Sequence, residues 1–202
     1  MKKSAFDLKH QNTNVESRIV ASLERISQAF RVLLWNESKE FSLSPIQVQV
    51  LIFLLHHSDE KRKVTYLAEE FNLTKATISE CVKTLEQKQL IIKGYEPQDT
   101  RSYIIHLSSS GKSIAEKTSH FATQIQTPID SLTSSEKENL LTSLLGIIHH
   151  LNQTGVITIQ RMCLTCHYYN SDNGHFCQLL NQELAKEELR IDCPEHAVKQ
   201  VP

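Results

Sequence analysis

Glycine and proline are scarce in this chain, five of each among 202 residues, and aromatic residues make up only 6%. That scarcity excludes collagen-like and proline-rich low-complexity architectures, and with ordinary hydrophobic and charged fractions it favours a helix-rich globular protein. No stretch approaches the ~18 apolar residues that a membrane-spanning helix needs, and the opening MKKSAFDLKHQNTNVESR carries no apolar run behind its lysines. A cytoplasmic location with no membrane partner is therefore expected. Net charge is nearly absent, −1 by formal count, and by itself it argues for no class of partner. Phosphate loops, dinucleotide fingerprints and separated triad patterns are missing too, so the chain is not expected to be an enzyme.

Cysteine is withheld most unevenly. The first 160 residues hold only Cys81, whereas Cys163, Cys166, Cys177 and Cys193 fall close together near the end. Where thiols are kept reduced, such a cluster points to metal binding or redox chemistry before a disulfide framework. Charge is also uneven: from Lys61 to Gly94 seven Lys or Arg face four Glu, while Leu151 to Pro202 carries four basic against six acidic residues. A positive middle and an acidic tail suggest different jobs.

Residues 16–40 read as a long amphipathic helix with Ile19, Leu23, Ile26, Phe30 and Leu33 along one face. Ser44 and Pro45 then open a strongly apolar helix ending near His57, and both helices are expected to be core. Thr65–Phe71 and a second helix capped by Thr74 and running to about Lys88 are joined by a short "NLT" turn. Ile78, Cys81, Val82 and Leu85 share one face of that second helix, leaving Lys75, Thr77, Ser79 and Lys83 largely elsewhere. Two β-rich runs, 90–95 and 103–107, flank the turn-forming "EPQDTRS" and predict a hairpin. A polar helix over about 110–127 is expected to stop near Pro128, and a capping box at Thr133 and Glu136 opens a last apolar helix ending at Gly155.

Helix, helix, turn, helix and hairpin form the order of a winged helix-turn-helix, and from about 16 to 152 the chain resembles the MarR family of bacterial transcriptional regulators. The stretches that carry the resemblance are "LSPIQVQVLIFL", "TYLAEEFNLTKATISECVKTLEQKQLI" and "DTRSYIIHLSSSGK". The resemblance implies a homodimer with interleaved first and last long helices, reading a palindromic operator in double-stranded DNA. Carried over by position, Thr74, Lys75, Thr77, Ser79 and Lys83 are the recognition-helix contacts, Asp99 orients Arg101 towards the minor groove, and Ser102 lies nearby. Hydroxyls and ammonium groups near a helix N-terminus suit phosphates and base edges, and an arginine suits a narrow electronegative groove. Two departures stand out: Gln89 occupies the family's usual Gly position after the recognition helix, and Glu80 places a negative charge near the DNA face. Cys81 reads as a small core residue, a reactive redox role being the lesser alternative.

The tail departs from that family pattern. Its spacing, Cys163-x2-Cys166-x10-Cys177-x15-Cys193, supplies the four thiolates of a tetrahedral site or an iron–sulfur cube. Structural zinc sites more often use two close pairs, which tilts the reading towards an iron-sulfur cluster of the 4Fe-4S type, with Zn2+ as the alternative and a metal-free thiol switch as a third. Tyr168, Tyr169, Phe176, Leu179 and Leu180 are expected to jacket the centre, and His167, His175 and His196 lie near enough to replace a cysteine. A short appendage gains from metal the folding free energy that burial alone does not supply.

The resulting expectation is a mostly α (α+β) protein: an N-terminal arm and dimerisation helix (1–42), a winged helix-turn-helix (43–108), C-terminal dimerisation helices (109–155) and a cysteine-rich tail (156–202). Its function is read as a dimeric regulator whose cluster senses redox state, oxygen, nitric oxide or iron supply. The rival is a regulator with structural zinc that responds to a small-molecule ligand. An enzymatic use of the tail thiols is the remaining class.

Overall fold

The computed structural model describes residues 3–96, 99–172 and 174–199. A short helix, Leu8–Gln11 (α1), capped by Asp7, precedes the long helix Val15–Glu40 (α2), whose N-cap Asn14 accepts the Ser17 N–H. At ~1.5 Å per residue the 26 residues of α2 make it the longest of the helices described. Leu34 is buried, but Ile19, Ile26 and Phe30 remain 39–51% exposed. The expectation that α2 is core therefore fails for the single chain: most of its apolar stripe faces outward.

Pro45–His56 (α3) is apolar at almost every position and is buried on most sides, with Val48, Val50 and Leu51 fully inaccessible. Ser44 and Gln47 close a reciprocal capping box at its start. Val64–Glu70 (α4) and Lys75–Gln87 (α5) follow. Their turn places Asn72 at a φ of 53°, a left-handed conformation that asparagine tolerates better than most residues. Thr74 caps α5 by accepting the Thr77 N–H, and Ile78, Cys81, Val82 and Leu85 are the helix's buried residues, as the sequence pattern predicts.

Ile91–Glu96 (β1) and Asp99–Leu107 (β2) pair antiparallel, with Ile91 opposite Leu107 and Tyr95 opposite Tyr103. The second strand begins earlier than expected. The Ile105 N–H, besides, donates to the carbonyl of Arg62, tying the loop before α4 to the hairpin. At the junction of α5 and β1, Gln89 takes a φ of 59°, the left-handed geometry that a glycine adopts without strain. Its carbonyl accepts from the hydroxyls of Ser108 and Ser110, so the serine-rich start of the next helix clamps this turn.

One expected helix is two. Ser109–Thr118 (α6) and Thr123–Asp130 (α7) are separated by a break, and Pro128 lies inside α7 rather than ending the helix before it. The hydroxyls of Thr118 and Ser119 bond back to the Ile114 and Glu116 carbonyls, which favours bending. Phe121 in the break packs edge-on against Phe30. Ser134–Gln153 (α8) opens with the Thr133/Glu136 capping box and is followed by Gly155 at a φ of 74°.

Beyond α8 the chain forms a small antiparallel meander, Tyr169–Asn170 (β3), Phe176–Cys177 (β4) and Gln182–Glu183 (β5). Its core is a second cluster, separate from the main one, in which Leu145 of α8 meets Met162, Cys166, Tyr169 and Leu189. No helix among the described residues is long and apolar enough to cross a membrane.

Gly111 marks the closest approach between α6 and the main core, because an added Cβ would stand 1.9 Å from the Leu90 carbonyl oxygen. Gly111→Ala is expected to destabilise the fold by about 1–3 kcal/mol, measured as a lower urea midpoint with an unchanged m-value.

Candidate functional site

The first candidate surface is the solvent side of α5. Thr74, Lys75, Thr77, Ser79 and Lys83 are all exposed, while the opposite face of the same helix is sealed into the core. Thr74 and Thr77 share a hydrogen bond of 2.8 Å between their hydroxyls, so the capping residue also orients its neighbour. Lys83 pairs with Glu80 at 3.7 Å. The unfavourable charge noted in the sequence is thus partly offset by a lysine one turn on, at the surface, where such a pair contributes little. Ser102 is half-buried in β2; the side chains of Asp99 and Arg101 lie outside the described residues. Cys81 is buried, and burial pushes its thiol up to about 11, which makes it a poor nucleophile at neutral pH.

The second candidate is the tail. Cys163, Cys166, Cys177 and Cys193 all line one cavity of about 30 Å³, together with Tyr169, Leu179, Leu180, Leu184 and Arg190. That volume exceeds the roughly 10–15 Å³ one water-sized sphere requires. All four cysteines are free thiols. Burial raises the Cys163 thiol, opposed by the Arg190 N–H and reinforced by the three neighbouring sulfurs. Four thiols around one cavity are, once deprotonated, the donor set for a soft cation or a cluster. Among the described residues, no three or more His, Cys, Asp or Glu side chains are arranged to hold a single metal ion.

Arg190 serves this site from its rim. Its N–H donates to the Cys163 sulfur at 3.3 Å, and its guanidinium lies 3.5 Å from the Cys193 sulfur. The expected apolar jacket is only partly present: Tyr169 is buried, but Leu179 and Leu180 are about 45% exposed. Met162, Leu184 and Leu189 do much of the packing instead, a role invisible in a segment without regular periodicity. His167, His175 and His196 do not line the cavity; His175 bonds the Tyr169 hydroxyl and His196 the Thr165 hydroxyl.

The tail and helix α4 are joined by a contact that the sequence did not announce. Arg161 is buried at 8% exposure. Its Nε and one terminal nitrogen donate to both oxygens of Asp192 at 2.5 and 2.7 Å. Its terminal nitrogens also reach both oxygens of Glu70 and the Tyr66 hydroxyl on α4. The guanidinium further lies over the rings of Phe53 and Tyr66. Burial opposes ionisation of Asp192, yet hydrogen bonds from Arg161 and His57 outweigh it and hold the carboxyl down to about 2. A planar fork with five donors suits two carboxylates where a lysine would not. Removing one partner of such a buried set costs about 3–5 kcal/mol, although the intact set is worth far less than that.

Residues 41–102 match the model of the MarR family. The matched stretch runs from just before α3, through α4 and α5, into β2. Among the proteins it is similar to, the HTH-type transcriptional regulator SarZ of Staphylococcus epidermidis is 29% identical over 110 residues, covering 54% of this chain and 72% of SarZ. MepR of Staphylococcus aureus in its DNA-binding conformation superposes with a TM-score of 0.58 at 26% identity, covering 66% of this chain and 98% of MepR. The MepR–DNA complex gives 0.56 at 26% identity, covering 65% and 96%. A MarR/EmrR family regulator from Acinetobacter sp. ADP1, 22% identical with a TM-score of 0.56 over 69% and 99% of the two chains, shares the fold. About a third of this chain has no counterpart in the MepR structures, which are matched nearly end to end.

Met162, fully buried in the cluster that Leu145 of α8 forms with Cys166, Tyr169 and Leu189, anchors the tail. Met162→Ala is expected to cost about 2–5 kcal/mol, and limited proteolysis should cut the tail before the winged module.

Proposed function

We propose that the chain acts as a homodimer that binds a palindromic DNA operator, and that its four cysteines hold an iron–sulfur centre whose presence modulates that binding. The observation that carries the DNA reading is the exposed face of α5, where Thr74, Lys75, Thr77, Ser79 and Lys83 stand over a sealed apolar face. Its counterpart in MepR belongs to a protein seen on DNA. Lysines and hydroxyls there would engage phosphates and base edges of a major groove, with Arg101 in the adjoining minor groove. Two half-sites about one helical turn apart match a two-fold axis.

Dimerisation is supported by apolar surface at both ends of the regulator body. Ile19, Ile26 and Phe30 on α2 and Leu140 and Ile147 on α8 are all 39% exposed or more, a load that a second copy would bury. The cluster reading is supported by four cysteines lining one cavity and by their spacing, one close pair and two separated singles, which departs from the two close pairs common in structural zinc sites. Such a centre would supply sensitivity to oxidation and iron supply; the chain supplies four thiolates, the Arg190 N–H to Cys163 and the apolar walls.

A second reading, with structural zinc and a small-molecule effector, draws on a separate cavity of about 940 Å³ lined by Phe30, Leu34, Trp35, Pro45, Gln49 and Phe121. It is of the size and apolar character that small ligands occupy.

Arg101→Ala is expected to weaken operator binding, and Lys75→Ala or Lys83→Ala should each reduce the slope of log affinity against log salt by about one; a fluorescence-anisotropy salt titration reads both, and unchanged slopes would reject the lysine assignments. Cys163→Ser should lose iron and sulfide from anaerobically purified protein while keeping its helical circular dichroism. Full metal content in that variant would remove Cys163 from the ligand set.

A further inference from the structure

We infer that Arg161 is the element through which the four-cysteine site acts on the DNA-binding helices, a reading that rests on metal occupying that site. Two short segments carry the coupling. Arg161 lies two residues before Cys163, and Asp192 immediately precedes Cys193. The segments are laced together: the Cys193 N–H donates to the Arg161 carbonyl at 2.9 Å, the Cys163 N–H to the Arg190 carbonyl at 3.0 Å, and the Arg190 N–H to the Cys163 sulfur. Whatever sets the separation of Cys163 and Cys193 therefore sets the pairing of Arg161 with Asp192.

From that pair the contact passes directly into the winged module. Arg161 grips Glu70 and Tyr66 on α4, and His57 at the end of α3 bonds Asp192 at 3.1 Å while stacking on Phe53. Thr158 adds a bond from its hydroxyl to the Glu69 carbonyl. Helix α4 packs on α5, so a change in its seating alters the helix that carries the proposed DNA contacts. The other attachment of the tail, Met162 and Leu189 against Leu145 on α8, is apolar and non-directional, and it tolerates small shifts. The guanidinium fork does not: its bonds have fixed geometry, and losing Asp192 leaves a buried cation with one carboxylate instead of two. With the thiol centre formed, Arg161 is locked between Asp192 and Glu70. Without it, the two cysteine-bearing segments separate, and α4 loses its outer support.

The test uses the full chain purified anaerobically with its metal, and the same protein after chelator stripping. Amide hydrogen exchange over Val64–Glu70 and the Kd for a duplex carrying a site selected by this protein from a random library are read in both states. In the wild type, stripping is expected to accelerate α4 exchange and to change the Kd, each by about tenfold, a common size for such coupling. Arg161→Met should keep its iron and sulfide but show the same α4 exchange and Kd in both states. Arg161→Lys, which keeps the charge without the fork, should respond only partially. If Arg161→Met does not fold, Glu70→Gln is read in its place, with the same loss of response expected.

A foldable Arg161→Met or Glu70→Gln protein that responds as the wild type does overturns the inference and leaves the metal site standing. A wild type that contains no metal, or whose exchange and Kd ignore its removal, overturns the metal reading and the inference together.

Discussion

A single buried guanidinium holds the C-terminal meander and the winged module in one frame. Without Arg161 the meander after α8 would rest on the body chiefly through apolar contacts between Leu145, Met162 and Leu189, which have area but little direction. The fork to Asp192 and Glu70 converts that loose seat into a defined register. Burying a charge is tolerable only when its donors are paired, and here each of the three guanidinium nitrogens has a partner. The net stabilisation of such a set is small, while the geometry it imposes is strict. That combination suits a linkage meant to report a change more than one meant to resist unfolding.

The rest of the architecture is arranged around this frame. Helix α8 offers the tail one side, through Leu145, and leaves Leu140 and Ile147 exposed on another; α2 likewise leaves its stripe outside. The exposed apolar surface and the apolar core of the tail thus share a helix, so a perturbation of the tail has two directions in which to travel. Towards α4 it meets oriented hydrogen bonds, and towards α8 it meets hydrophobic packing. The directional route is the one able to discriminate between two states, because a bonded fork has discrete arrangements and an apolar patch does not.

Much of the helical body was legible from local rules. Ser44, Thr74 and Thr133 each cap the helix that follows them, because capping depends on residues within one turn. The buried face of α5 followed from its periodicity, and the convergence of four cysteines on one cavity from their isolation in an otherwise thiol-poor chain. What escaped was set by distant partners. The break between α6 and α7 depends on hydroxyl back-bonding and on Phe121 meeting Phe30, and the exposure of α2 on which elements pack against it. Arg161 finds Asp192, Glu70 and Tyr66 at sequence separations of 31, 91 and 95 residues, and no local pattern announces such a meeting. Gln89 was visible as an anomaly at a glycine position; only its φ explains what the glycine is for.

The claim that one guanidinium couples tail and winged module is tested most directly by a double-mutant cycle between Arg161 and Glu70, using Arg161→Met, Glu70→Gln and the pair, with unfolding free energies from urea titration. The structure predicts an interaction energy of at least about 1 kcal/mol, since residues in one buried ionic network are non-additive. Additive effects, agreeing within about 0.5 kcal/mol as for independent sites, would contradict it.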